Sequence, residues 1–310
     1  MREFLLSRTA GLLQKKGFRI GSFIHSNTCF DFIAKSGAMT LLVKVFGNID
    51  AIRQEQAEEL KRIAVMLDAN AVVVGEKTKV FALENGTAYE RYGLPAINLK
   101  TFSDALEEKT IGSKYFKGKE VVGIDAEKMK KRMAALGLTS GELAERSGSS
   151  RESIYRYEKG EAASLETAQK LEKALGTNVI KGVRLFEKPL QKKDYPFDRE
   201  FGDEALSKIH DLGFNLAVFE HAPFKAYSEL DSPLLISRGM HRQEMRKRAE
   251  ELKKANSIVK SDSFIVAKEF GKKTIDDVPV VDEEELDSFS SAKDLVKEVR
   301  ERGKNERKRI

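Results

Sequence analysis

The sequence predicts a multidomain protein: an α/β domain, an all-helical unit, then a second α/β domain. Three observations lead there. At 310 residues the chain exceeds what a single core usually supports. Short apolar strand-like runs alternate with helical spacing over roughly the first hundred residues, whereas Asp125 to Gly176 carries helical periodicity only. Finally, the outline of the first part returns after about residue 195. The expected domains are 1–108, 122–180 and 195–310, the last a duplicate of the first.

From Met1 to about Leu106 the expected order is helix, strand, strand, helix, strand, strand, helix. The strand signals are Cys29 to Ile33, Leu41 to Val45 and Ala71 to Val74. The helical one is Gln54 to Leu67, with Ala57, Leu60, Ile63, Ala64 and Leu67 on one face. Glu107 to Gly123 is polar and glycine-rich and reads as a linker or hairpin, and Lys181 to Glu200 reads as a second connector. After it, Leu212-Gly213-Phe214 echoes Lys16-Gly17-Phe18, and Ala249 to Lys253 echoes Ala57 to Lys61. Ser263 to Ala267 matches the Val72 strand, and Val278-Pro279-Val280-Val281 matches Leu94-Pro95-Ala96-Ile97. Arg238, His241, Arg242, Arg246, Lys247 and Arg248 are expected on one basic helix, and Arg300 to Arg309 as a mobile charged tail.

Composition excludes several classes. With 41% hydrophobic and 34% charged residues and six prolines, the chain is neither low-complexity nor disordered as a whole. One cysteine, Cys29, rules out an internal disulfide and a cysteine-rich zinc module, which favours a reducing compartment. No run of about 18 apolar residues spans a bilayer, and the first segment has no signal-peptide pattern, so a cytoplasmic location and no membrane partner are expected. A net charge of +6 is too small to identify a partner. His25, His210, His221 and His241 are scattered without ligand spacing, and no phosphate-binding glycine loop is present, so no metal and no cofactor are expected.

The functional signal lies in Leu136 to Gly176. Thr139 or Ser140 can cap a helix beginning at Gly141, and Ala144 leaves room for a close neighbour. Gly148 can take positive φ and reverse the chain, and Ser150 caps a second short helix. Ile154 and Tyr157 face inward on that helix and Gly160 stops it. This spacing of small residue, glycine and branched apolar residue is a helix-turn-helix pattern. Helices from Asp125 to Leu136 and from Leu165 to Leu175 complete the unit.

Residues 125–179 resemble the Cro-repressor (XRE) family of DNA-binding domains, and Ser150 to Gly160 looks like its second, groove-entering helix with the closing Glu-x-Gly. The resemblance implies a five-helix unit. It also implies base-reading positions at Arg151, Glu152, Tyr155 and Arg156, and phosphate contacts at Ser140, Ser150 and Lys159. Arg donates twice to guanine and Glu accepts from cytosine; phosphate contacts set register rather than sequence. Departures are Ser140 where the family commonly has Gln, Ser147 and Ser149 where it has apolar residues, and Met133 where it has an Arg that partners Glu158; Arg132 is the candidate substitute. Between Asp125 and Gly176, ten basic residues face nine acidic ones, so one copy binds phosphates modestly and dimerisation helps.

The N-terminal domain resembles the restriction-endonuclease-like fold, with Asp31 and Lys44 at the Asp and Lys positions. Leu42 stands where the second metal-binding acid belongs, and one carboxylate holds a hard divalent cation poorly. The domain is therefore expected to be a degenerate, non-catalytic copy, and its C-terminal counterpart has no equivalent Asp and Lys pair.

In layout the whole chain looks like an archaeal family of helix-turn-helix transcriptional regulators. Membership implies a cytoplasmic, non-enzymatic protein that binds double-stranded DNA in a sequence-specific way as a homodimer. The rival reading is an RNA-associated, ribosome-associated or protein-bridging factor that uses the same helices, since fold alone does not fix function.

Overall fold

The computed structural model describes residues 2–107, 112–116, 119–182, 185–186 and 194–307. The chain opens with α1 (Arg2–Lys15), β1 (Arg19–Ser22), β2 (Phe32–Ser36) and β3 (Met39–Val45). Then come α2 (Gln54–Met66), β4 (Asn70–Val74), β5 (Thr87–Arg91), β6 (Leu94–Ile97) and α3 (Leu99–Leu106). The middle holds β7 (Ser113–Phe116), β8 (Lys119–Ile124), α4 (Ala126–Ala135), α5 (Ser140–Ser147), α6 (Arg151–Glu158), β9 (Ala163–Ser164), α7 (Leu165–Leu175) and β10 (Ile180–Lys181). The last third begins with α8 (Glu204–Asp211), β11 (Ala217–Val218), β12 (Ala226–Glu229) and β13 (Pro233–Gly239). It ends with α9 (Arg242–Val259), β14 (Asp262–Ala267), β15 (Thr274–Ile275), β16 (Val278–Asp282) and α10 (Ala292–Arg307).

The chain packs as two units. One comprises Met1–Leu5, Phe46–Ile52 and Val72–Lys188; the other comprises Leu6–Val45, Arg53–Ala71 and Pro189–Ile310.

Within the second unit, β1, β2 and β3 form an antiparallel meander. So do β11, β12 and β13, after which β13 pairs β14 in parallel. A core of Leu206, Ile209, Phe214, Ile236, Phe264, Val266, Leu295 and Val299 lies between this C-terminal sheet and α8 and α10. In the first unit β4 pairs β6 in parallel and β6 pairs β5 antiparallel; β14, β16 and β15 repeat this pattern, with Pro95 opposite Glu90 and Pro279 opposite Thr274. The echo at the first helix ends is also physical, for Gly17 and Gly213 both take positive φ, at 77° and 102°.

Among its described residues the first third has six strands, two more than expected. The four-residue β1 and the polar β5 carry too few apolar residues to signal in a sequence, and β2 begins at Phe32 rather than Cys29. Glu107 to Gly123 supplies the hairpin of β7 and β8. The middle unit has four helices among its described residues instead of five, because after Leu175 the chain runs into β10, which pairs with β8.

Two expectations in the last third are corrected. Arg238 lies on β13 rather than on the basic helix, and its guanidinium is taken by Asp203 (2.9 Å) and Glu283 (3.2 Å). The expected C-terminal tail is helical to Arg307, because Val299 and Arg302 are buried and Arg302 bonds Glu285, Glu298 and the Val280 carbonyl. Lys308 and Arg309 lie outside the described residues.

Candidate nucleic-acid interface

The helical unit is built around α5 and α6. Thr139, not Ser140, caps α5: its hydroxyl accepts from the Glu142 N–H, and the Glu142 carboxylate accepts from the Thr139 N–H (2.8 Å) and hydroxyl (2.8 Å). These bonds hold the Glu142 carboxyl below its ordinary pKa. Gly148 closes α5 at φ 65°, the left-handed conformation that reverses the chain, and the Ser149 N–H donates to the Ala144 carbonyl. Ser150 then caps α6, accepting from the Ser153 N–H at 3.1 Å. Ala144 and Ile154 are both buried in a core that includes Met129, Met133, Leu143, Tyr157, Leu171 and Leu175. Val122 and Ile124 of β8 complete it, a contribution that the polar stretch around them conceals in the sequence.

The departures find physical explanations. Ser147 is buried, and its hydroxyl donates back to the Leu143 carbonyl at 2.8 Å, so it sits in the core without an unsatisfied polar atom. Glu158 is partnered by Ser140, whose hydroxyl donates to it at 2.8 Å and ties the start of α5 to the end of α6. Arg132 does not substitute for the missing Arg; it donates to the Leu175 carbonyl at the end of α7.

The outer face of α6 presents Arg151, Glu152, Tyr155 and Arg156, all exposed. The Arg151 guanidinium lies over Gly141, where a methyl group would come within 3.0 Å of its Nε, so the missing side chain at 141 makes room for it. Lys159 sets its ammonium 4.1 Å from the centre of the Tyr155 ring. Arg156 Nε lies 2.8 Å from Glu161, and that carboxylate raises the pKa of the guanidinium. A short helix and its C-cap, Lys159, thus present three cations and an aromatic ring, held by a turn that Gly148 and two hydroxyl caps define.

The other candidate, Asp31 with Lys44, is a closed ion pair. Both side chains are buried, Lys44 Nζ lies 2.8 Å from the Thr28 carbonyl and 3.3 Å from Asp31 Oδ1, and the Val45 N–H donates to Asp31 Oδ2 at 2.7 Å. Leu42, also buried, supplies no oxygen. A divalent cation would have to displace these bonds to reach one carboxylate, so the residues present do not fit the magnesium that such a fold implies. Beside the pair, the Cys29 N–H donates to the His221 carbonyl, and Glu59 accepts from the Glu220 and His221 backbone and from His221 Nδ1 (2.9 Å). Burial first, then the Glu59 charge, pushes the Cys29 thiol up. The β2–β3 register places Lys225 and Ser237 where Asp31 and Lys44 stand, so the C-terminal third lacks the pair.

Fold and site together define a helix-turn-helix protein with a nuclease-like N-terminal part. Residues 2–111 match the PD-(D/E)XK superfamily domain, and residues 129–180 match the helix-turn-helix family. A relative in Archaeoglobus fulgidus, named "Putative HTH-type transcriptional regulatory protein", is 32% identical over 97% of this chain and 99% of its own. Relatives of the same name in Methanocaldococcus jannaschii and Pyrococcus furiosus are 31% and 29% identical over 97% of this chain, covering 97% and 98% of theirs. The chain belongs to this archaeal family of HTH-type transcriptional regulatory proteins. No solved structure matches it. Among the described residues, no helix is long and apolar enough to cross a membrane, and no group of three or more His, Cys, Asp or Glu side chains is placed to hold a metal.

Proposed function

We propose that the protein is a sequence-specific, DNA-binding transcriptional regulator that reads the major groove with α6 and works as a homodimer in the cytoplasm. The observation that carries the reading is the exposed face of α6, with Arg151, Glu152, Tyr155 and Arg156 on a helix of the length and capping that groove entry requires. Arg156 and Glu152 read base edges. Arg151, lying over the start of α5, reaches the first base of the site or the phosphate beside it. Lys159, Ser150 and the first turn of α5 at Ser140 meet phosphates; since the Ser140 hydroxyl is given to Glu158, its contribution is the backbone N–H. The family name carried by the relatives supports the regulatory role.

The protein is not an enzyme in this reading, because the saturated Asp31–Lys44 pair and Leu42 leave a nuclease without its metal. The domains are 1–108, 122–180 and 195–310, the last a duplicate of the first. Two copies pair because paired half-sites need two recognition helices about 34 Å apart.

Selection of bound sequences from a random duplex library, followed by gel-shift titration, tests the proposal. Arg156→Ala should relax the preference at one base pair by about 5- to 150-fold, whereas Lys159→Ala should weaken all duplexes alike and lower the salt slope by about 1. No enriched sequence at any salt concentration would overturn it. A monomer by light scattering at high concentration would remove the dimer. Selective co-purification of ribosomal RNA would favour the rival role.

A further inference from the structure

The helical unit is nearly neutral, and affinity for nucleic acid comes largely from neutralised phosphates. The C-terminal third carries a different kind of surface. On α10, Lys293, Lys297, Arg300 and Lys304 fall on one face and line a groove with Asp262. Arg300 is fixed there by Asp262 (2.8 Å) and Ser232 (2.9 Å). An open cleft of about 750 Å³ continues from Arg300 and Lys304 past Lys260, at the left-handed end of α9, to Lys253 and Ser257. From those two residues the surface runs on along α9 to Arg246 and Lys247.

Many of these charges are not spent within the protein. The side chains of Arg246, Lys247, Lys260, Lys293, Lys297 and Lys304 make no ion pair or hydrogen bond among the described residues, whereas Lys253 pairs with Asp277 and Lys254 with Glu250. The unpaired carboxylates along the same path are Asp231, Asp276 and Glu301. Helix dipoles account for only part of the set: Lys260 and Lys304 lie at C-terminal helix ends, which favour a cation, whereas Lys293 lies in the first turn of α10, where a positive charge is disfavoured. From Lys293 to Lys304 the helix advances about 16 Å, over which one DNA strand presents about five phosphates.

We propose that this strip on α9 and α10 is a second binding surface, which takes the phosphate backbone of double-stranded DNA without reading its bases. It builds on the DNA-binding reading of the helix-turn-helix, and it supplies the phosphate contacts that α5 and α6 are too sparsely charged to make.

The test uses the full chain with Lys260→Gln, Lys293→Gln, Lys297→Gln and Lys304→Gln combined, four exposed changes that leave every described ion pair in place. Binding to a random-sequence DNA duplex is titrated from low to moderate salt by fluorescence anisotropy, beside a selected site, an RNA duplex of equal length and inorganic phosphate as competitor. The expected result is a fall in the salt slope of up to about 3.6, some 0.9 for each phosphate no longer neutralised, with the affinity ratio between selected and random DNA unchanged. The two half-variants, Lys293→Gln with Lys297→Gln and Lys260→Gln with Lys304→Gln, should each show about half of that fall. An unchanged slope on random DNA, or no binding to it at low salt, overturns the proposal, as does a weakening seen with RNA alone or displacement by inorganic phosphate at concentrations too low to screen. Failure of the helix-turn-helix reading looks different: wild type then shows no preference for a selected site, while the slope still reports on the strip.

Discussion

Replacing Lys44 by Met separates a structural role from a catalytic one. In a working nuclease of this fold the lysine acts on the reaction, and its removal spares stability. Here its ammonium bonds the Thr28 carbonyl at 2.8 Å and Asp31 at 3.3 Å, with both charged side chains buried. Methionine fills the same length of strand but takes the ammonium away from the Asp31 carboxylate, which is 2% exposed and also accepts from the Val45 N–H. Removing one partner of a buried pair costs about 3–5 kcal/mol. The variant should lose that much in urea denaturation followed by far-ultraviolet circular dichroism, while gel shifts on folded protein stay as in wild type. Adding Asp31→Asn removes the charged partner of Lys44 as well, so a double-mutant cycle should return a coupling of about 1–3 kcal/mol. The reasoning is refuted if Lys44→Met unfolds within about 0.5 kcal/mol of wild type, the margin of an ordinary surface change. Magnesium-dependent nicking of plasmid by wild type, abolished in the variant, would refute it too.

Three more outcomes follow from the geometry. Ile154→Ala, at a fully buried site between α5 and α6, should cost about 2–5 kcal/mol in the thermal or urea unfolding of the helical unit and abolish the gel shift with it. Gly148→Ala keeps the core but forces a side chain onto a residue at φ 65°, so a loss of about 1 kcal/mol is expected, with DNA preference retained once the protein is folded. Burial alone would raise the pKa of Asp50, but the Lys79 N–H and the Arg91 guanidinium overcome it and hold the value below normal. A depressed carboxylate stabilises the fold above its ordinary pKa of about 3.9 and loses that contribution as pH falls through its folded value. The melting-temperature gap between wild type and Asp50→Ala should thus be constant from pH 7 to 5 and close below pH 4; a gap that persists at pH 2 would contradict this.

What could be read from residues alone was local. The spacing of Ala144, Gly148 and Ile154 specifies the turn between α5 and α6, because each position has a steric requirement that only certain residue types meet. The missing ligand at Leu42 was equally plain, since the Asp and Lys of the motif lie within one strand pair. Long-range features were hidden. Nothing near Ser140 announces that its hydroxyl meets Glu158, eighteen residues on. Nothing near Arg238 announces Asp203 and Glu283, so it looked like part of a basic run along with α9. The tail misled for a related reason: Arg302 seems solvent-seeking until Glu285 and the Val280 carbonyl, brought by other elements, receive it.

The bonds that join Glu59 to His221 and Ser26 to Glu251 span 162 and 225 residues of chain. They give the molecule an order of assembly. During synthesis the helical unit can close on contacts made between Val122 and Ile180, within about sixty residues, as soon as they clear the ribosome. Strands β1 to β3 emerge first yet wait for the segment around His221, a delay of about 9–35 s at roughly 5–20 residues per second. Over that interval the faces of β1 and β2 that pack against α9 stay uncovered, until the last third arrives.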